Sequence, residues 1–244
     1  MKILLALAAL MQVGTPPSPP NPADFPQHKR LAENVYVWSD IHPSGLYATN
    51  NLIVITTDGV LVADGQKDPE TTKKMVDGIG ALTSQPIKVV VIGSEHGDHT
   101  GGNASFPSSS TVIKSPLATG RQMVMKLGGT DIHVLDYGRA HTGTDLEVYL
   151  PKERILFASE AYSNHIFPNM RAAVPAEWIR TLENIGRLEV GTVIPGHGSI
   201  EDAATMRASL REFEAIQDLV FHGGRVASDQ VPDVELGELV IREV

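Results

Sequence analysis

Short apolar runs separated by turn residues set the rhythm of the chain from residue 29 onward. Val35-Tyr36-Val37-Trp38 lies within a predicted strand over 31–38, and Leu52-Ile53-Val54-Ile55 within another over 51–56. Thr57-Asp58-Gly59 joins the second of these to Val60-Leu61-Val62-Ala63, which predicts a hairpin. Asp68-Pro69-Glu70 opens a helix with proline in its first turn, running to about Leu82. The run over 87–93 has no polar alternation on either face, the pattern of a strand covered on both sides. A strand over 111–114, a helix over about 116–127 and a strand over 132–136 follow. Next come a hairpin pairing 145–150 with 154–158 around Pro151-Lys152-Glu153, and a helix over 176–188 with Trp178, Ile179, Leu182, Ile185 and Leu188 at helical spacing. A buried strand over 192–194 precedes a long amphipathic helix over 202–221, closed by Gly223-Gly224. Residues 231–244 alternate weakly and read as either a terminal strand or a loose segment. The strand-rich, helix-containing order occurs twice, which predicts an α/β protein built as two sheets face to face with helices outside, an αβ/βα four-layer sandwich.

Composition narrows the function classes. A chain of 244 residues with 42% hydrophobic and 20% charged residues supports one large domain, placed here at 28–244. Its net charge of -9 and the lack of any Lys/Arg cluster argue against a nucleic-acid partner. Without cysteine there are no disulfides, thiolate ligands or cysteine nucleophiles. Lys2 followed by the apolar stretch Ile3 to Met11 has the outline of a secretory signal peptide, assigned to 1–14, and is too short for a stable membrane span. The proline-rich stretch 15–27 reads as a linker, and the expected location is periplasmic or secreted.

Candidate chemistry gathers at strand ends. Ser94-Glu95-His96-Gly97-Asp98-His99-Thr100-Gly101-Gly102 follows the buried run 87–93, at the end of the strand where open α/β sheets present functional groups. Two imidazoles and a carboxylate there suit a borderline cation such as zinc, although His and Asp beside glycine also serve simple loop hydrogen bonds. Three further sites repeat the placement: His141-Thr142-Gly143-Thr144-Asp145, Ser159-Glu160 and Pro195-Gly196-His197-Gly198. Neither a Ser-His-Asp set nor a phosphate-cradling glycine loop competes with them. His28, His42, His133 and His222 lack flanking ligand chemistry and read as surface or hydrogen-bonding residues.

With these motifs in this order, the sequence resembles the metallo-β-lactamase fold superfamily over about residues 30–200. The family's H-x-H-x-D-H corresponds to Ser94-Glu95-His96-Gly97-Asp98-His99, its second-motif His to His141, its Asp or Cys after a buried strand to Glu160, and its P-G-H-G to Pro195-Gly196-His197-Gly198. Asp64-Gly65 corresponds to the Asp-x-Gly region closing an early strand, without the spacer. The resemblance implies one or two zinc ions held by His96, Asp98, His99, His141, Glu160 and His197, which would polarise a carbonyl or phosphoryl group and supply hydroxide near neutral pH. Asp98 would orient that water and take its proton, making it the expected catalytic residue.

Two departures bear on this. Ser94 stands where the family has histidine, so the first site keeps only His96 and His141, while Asp98, His99 and His197 leave the second intact and better furnished. Glu160 carries its carboxylate roughly 1.5 Å farther than aspartate would. Ser94 and Asp64 are expected around the ligands, and Tyr162 and His165 over the pocket, shaping access for a small-molecule substrate. The implied activity is zinc-dependent hydrolysis of a small ester, lactone, lactam (β-lactams among them) or thioester. The alternative, prompted by the missing histidine, is a metal-poor, catalytically idle binding or sensing domain; redox use of the site with iron would need a flavin or electron-transfer partner domain.

Overall fold

The computed structural model describes residues 19–118, 120–164, 166, 171–202 and 204–207. The predicted signal peptide, His165, residues 208–221 of the predicted last helix and the tail beyond it lie outside the described residues. A single 3-10 turn at Pro22–Asp24 leads into β1 (Gln27–Ala32), which pairs antiparallel with β2 (Val35–Ile41). The predicted strand over 31–38 is therefore two strands, because the chain turns at Glu33-Asn34. β2 continues antiparallel into β3 (Ala48–Thr56) and β3 into β4 (Gly59–Ala63) through the expected turn. Helix α1 (Pro69–Leu82) then crosses over; Asp68 caps it by accepting from Thr71 N–H at 2.8 Å, and Pro69 costs nothing in its first turn, where the N–H would be unpaired anyway. β5 (Ile87–Val91) and β6 (Thr111–Ile113) add in parallel beyond β4.

The second half is a run of neighbours: β7 (Gln122–Leu127), β8 (Thr130–Leu135), β9 (Glu147–Leu150), β10 (Ile155–Ser163) and, after helix α3 (Pro175–Gly186), β11 (Thr192–His197). The short helix α2 (Gly97–Thr100) lies between β5 and β6. β12 (Glu201–Asp202) closes on β11, and Asp202 caps the helical turn at 204–207 through Thr205 N–H. A single register pair, Thr49 with His197, links the two halves across β3 and β11.

The expected helix over 116–127 is not formed; residues 122–127 are β7 instead. Met123, Met125 and Leu127 turn inward while Gln122, Val124 and Lys126 face out, a two-residue period that belongs to a strand. Gly128 and Gly129, at φ of +51° and +84°, make the tight turn into β8.

Three apolar clusters define four layers. Between the half-sheets, Leu52, Leu61, Val89 and Val91 meet Val134, Val148, Phe157 and Ile194. Outside the first, Met75 and Ile79 of α1 cover Val60, Val62 and Val90. Outside the second, Trp178, Leu182 and Ile185 of α3 cover Leu135, Tyr149, Leu156 and Val193. Val89, Val90 and Val91 of β5 thus face alternating cores, which explains the apolar run there, while Lys88 reaches solvent. The architecture is the α/β/β/α sandwich expected from the element order. No helix among the described residues is long and apolar enough to cross a membrane.

Candidate metal centre

The site forms at the seam between the half-sheets. Asp64, at the end of β4 with a φ of +63°, is fully buried and serves as its anchor. Its Oδ1 accepts from Gly93 N–H at 2.5 Å, and its Oδ2 accepts from Ser159 Oγ at 2.6 Å and faces His99 Nδ1 at 2.9 Å. Asn51 holds the same turn by donating to the carbonyls of Asp64 and Gly65 at 3.0 and 2.7 Å. Gly93 is required here by proximity: a Cβ would lie 2.6 Å from the Ser159 Cβ. Gly102 likewise lets the loop close on α1, since a side chain would collide with Thr72.

From the first half come His96, at the N-cap of α2, and Asp98 and His99 within it; from the second come His141, Glu160 on β10 and His197 on β11. The His141 loop is fixed by Asp145, whose Oδ2 accepts from the N–H groups of Ala140 and Thr142, both at 2.9 Å. Trp178, tied to the Ala161 carbonyl at 2.8 Å, backs the His141 ring at 5.4 Å.

Glu160 occupies the middle. Its Oε1 lies 3.1 Å from His197 Nε2 and 3.2 Å from His141 Nε2, and its Oε2 lies 2.8 Å from His96 Nδ1 and 2.5 Å from Ser94 Oγ. Asp98 Oδ2 is 3.3 Å from His197 Nε2 and 3.6 Å from His99 Nε2. Two groups result, Asp98–His99–Glu160–His197 and His96–His141–Glu160, each with ligand-capable atoms within 4.8 Å of one another. Glu160 belongs to both.

The electrostatics follow from burial and this crowding. Burial favours the neutral form of Glu160, but hydrogen bonds from His141, His197 and His96 outweigh it and hold the carboxyl far below the usual range. Burial likewise opposes charge on His99, yet Asp64, with Glu160 and Asp98 behind it, raises its pKa to about 9. His96 is raised by its hydrogen bond to Glu160. Among these groups, Asp98 Oδ2 and His141 Nδ1 are buried with no hydrogen-bond partner among the described residues, Asp98 Oδ2 lying at ion-pair distance from His197. A buried carboxylate oxygen facing two imidazole nitrogens, beside a histidine oriented by a buried aspartate, is the donor set and outer support that a borderline divalent cation takes.

The structure thus brings together all six predicted ligands, with Ser94 and Asp64 directly behind them. The Tyr162 side chain packs in the cluster under α3, and its hydroxyl donates to Glu201 at 3.0 Å. His42, expected to be a surface or hydrogen-bonding residue, does hydrogen-bond Ser44 but also lies beside the cluster: its Nε2 is 3.6 Å from Asp98 Oδ2 and its ring stacks on Tyr47 at 4.3 Å. Burial lowers its pKa to about 4 against the pull of Asp98. The stretch His42-Pro43-Ser44-Gly45 signals only a turn, so nothing local in the sequence pointed to this placement.

No family model matches the chain. It is similar to the metallo-β-lactamase type 2 of Bacillus cereus, 24% identical over 204 residues, covering 74% of this chain and 80% of that protein. A second relative, the metallo-β-lactamase type 2 of Elizabethkingia meningoseptica, is 23% identical over 217 residues, covering 75% and 82%. Among solved structures, a metallo-β-lactamase from Pontibacter korlensis superposes with a TM-score of 0.65 at 21% identity, covering 77% of this chain and 98% of that one. DIM-1 metallo-β-lactamase superposes with a TM-score of 0.66 at 23% identity, covering 78% and 97%.

Proposed function

Given that the chain has the metallo-β-lactamase fold, we propose that it is a zinc-dependent hydrolase of a small ester, lactone, lactam or thioester, with β-lactams among the candidates, working in the periplasm or outside the cell. The observation that carries this reading is the pair of ligand groups sharing Glu160. The names of the similar proteins support hydrolysis at an acyl carbon.

Zinc would be held by Asp98, His99, His197 and Glu160 in the more complete group, and by His96, His141 and Glu160 in the other. When bound it supplies Lewis acidity toward a carbonyl oxygen and toward water. The protein's own residues do the rest. Asp64 fixes the His99 ring through Nδ1, leaving Nε2 to face the centre. Asp98, whose Oδ2 lies 3.3 Å from His197 Nε2, is the base placed to orient a water molecule and take its proton. Glu160, held ionised by three imidazoles, keeps a negative charge at the centre that offsets the charge of the cation.

A second reading, a catalytically idle binding domain, is favoured by Ser94, which offers a hydroxyl where an imidazole would complete the first group. Zinc per chain, measured on purified protein and on His197→Ala, separates the two. The hydrolase reading expects about one or two zinc ions, fewer in the variant, together with turnover of acyl substrates in a screen. Zinc-free protein under metal-replete conditions would overturn it in favour of the idle domain.

A further inference from the structure

We propose that His42 is a further catalytic residue of this site, donating a hydrogen bond from Nε2 to the substrate oxygen that approaches the Asp98–His99–His197 group; the inference rests on the hydrolase reading above. The loop between β2 and β3 builds this donor. His42 N–H donates to the Tyr47 carbonyl at 2.9 Å and Gly45 N–H to the His42 carbonyl at 2.8 Å, closing the loop on itself. Within it, Ser44 N–H donates to His42 Nδ1 at 3.1 Å. Ser44 Oγ lies 2.8 Å from the same nitrogen and accepts from Leu46 N–H at 3.2 Å.

A backbone N–H can only donate, so Nδ1 is the acceptor and the ring hydrogen sits on Nε2. Were the ring to gain a second proton, Nε2 would still carry its own. The nitrogen facing the site is therefore a donor, which excludes it as a metal ligand in this form and suits it to an oxygen. Asp98 Oδ2 stands 3.6 Å from it, outside hydrogen-bond range. The ring direction is fixed from two sides: Ser44 holds Nδ1, and the Tyr47 ring stacks at 4.3 Å with an interplanar angle of 24°. Tyr47 is itself held against His197, at 4.8 Å between ring centroids. With its side chain 19% exposed beside Asp98, His42 is open to solvent at the edge of the cluster, as a donor whose orientation is set before substrate arrives. A ring present only to pack on Tyr47 would need neither the Ser44 contact nor the N–H.

The test compares zinc-loaded wild type with His42→Phe, which keeps the stacked ring and removes the donor, and with His42→Gln, which restores an N–H. On the best acyl substrate from the screen, His42→Phe should lose about 100-fold in kcat with little change in KM. His42→Gln should recover at least about tenfold of that, and zinc content should be the same in all three. Nitrogen-15 NMR of histidine-labelled, zinc-free wild type should show His42 as the Nε2–H tautomer. An Nδ1–H tautomer, or a His42→Phe enzyme within about twofold of wild type, overturns this inference and leaves the hydrolase reading standing. A zinc-loaded wild type that turns over none of the acyl substrates overturns that reading and this inference with it.

Discussion

Ser94 donates its hydroxyl hydrogen to Glu160 Oε2 at 2.5 Å while accepting from His96 N–H at 3.2 Å, so one small side chain joins the end of β5 to the strand across the seam. The pair is buried, and the other close partner of Glu160 Oε2 among the described residues is His96. Ser94→Ala leaves that oxygen half-satisfied. Urea unfolding should show a loss of about 1–3 kcal/mol, the range for a hydrogen bond to a buried charged group. Ser94→Thr, which retains the hydroxyl, should recover part of the loss.

Asp64 takes hydrogen bonds from Gly93 and Ser159 and holds His99, all without solvent access. Asp64→Asn keeps the shape and removes the charge that orients the ring. Competition with a chromophoric chelator should report zinc affinity weaker by about 10- to 100-fold, the usual effect of losing a carboxylate behind a metal-binding histidine.

Glu147 on β9 is fully buried, and no other residue among those described hydrogen-bonds its carboxylate. Burial, with Asp145 and Asp136 nearby, raises its pKa well above the ordinary value. The folded state therefore binds the proton more tightly than the unfolded one. Stability should fall as pH rises from the unfolded value, about 4.3, toward the higher folded value, and stay lower above it. Glu147→Met removes this contribution. At neutral pH it should stabilise the protein by about 1–3 kcal/mol in chemical unfolding, with a flatter pH profile.

Phe157 is fully buried between the half-sheets. Phe157→Ala should cost about 3–5 kcal/mol. On β7, by contrast, Val124 is 61% exposed, and Val124→Thr should change stability by less than about 0.5 kcal/mol. Thermal melts of the two variants check both.

The motifs at strand ends were legible because the chemistry is written locally: His96, Asp98 and His99 within four residues, and His141 and His197 beside glycines. The layers were legible because each covered strand shows as an apolar run. β7 was misread because Met and Lys favour helices, and only the alternation of Met123, Val124, Met125 and Lys126 across a half-covered surface reveals the strand. His42 was missed for another reason. Its role depends on β2 and β3 carrying it to Asp98, 56 positions along the chain, and no local pattern encodes that approach.

The two halves of the sheet touch as strands at one register pair, Thr49 with His197, and His197 is itself one of the clustered histidines. The six clustered side chains divide evenly, three rooted on each side of that narrow join. A cation bound there would act as a rivet through both plates, resisting their sliding where backbone pairing is thinnest. Amide hydrogen exchange should then slow in β3 and β11 together on adding zinc, since neither half could open locally without tearing ligands from the other.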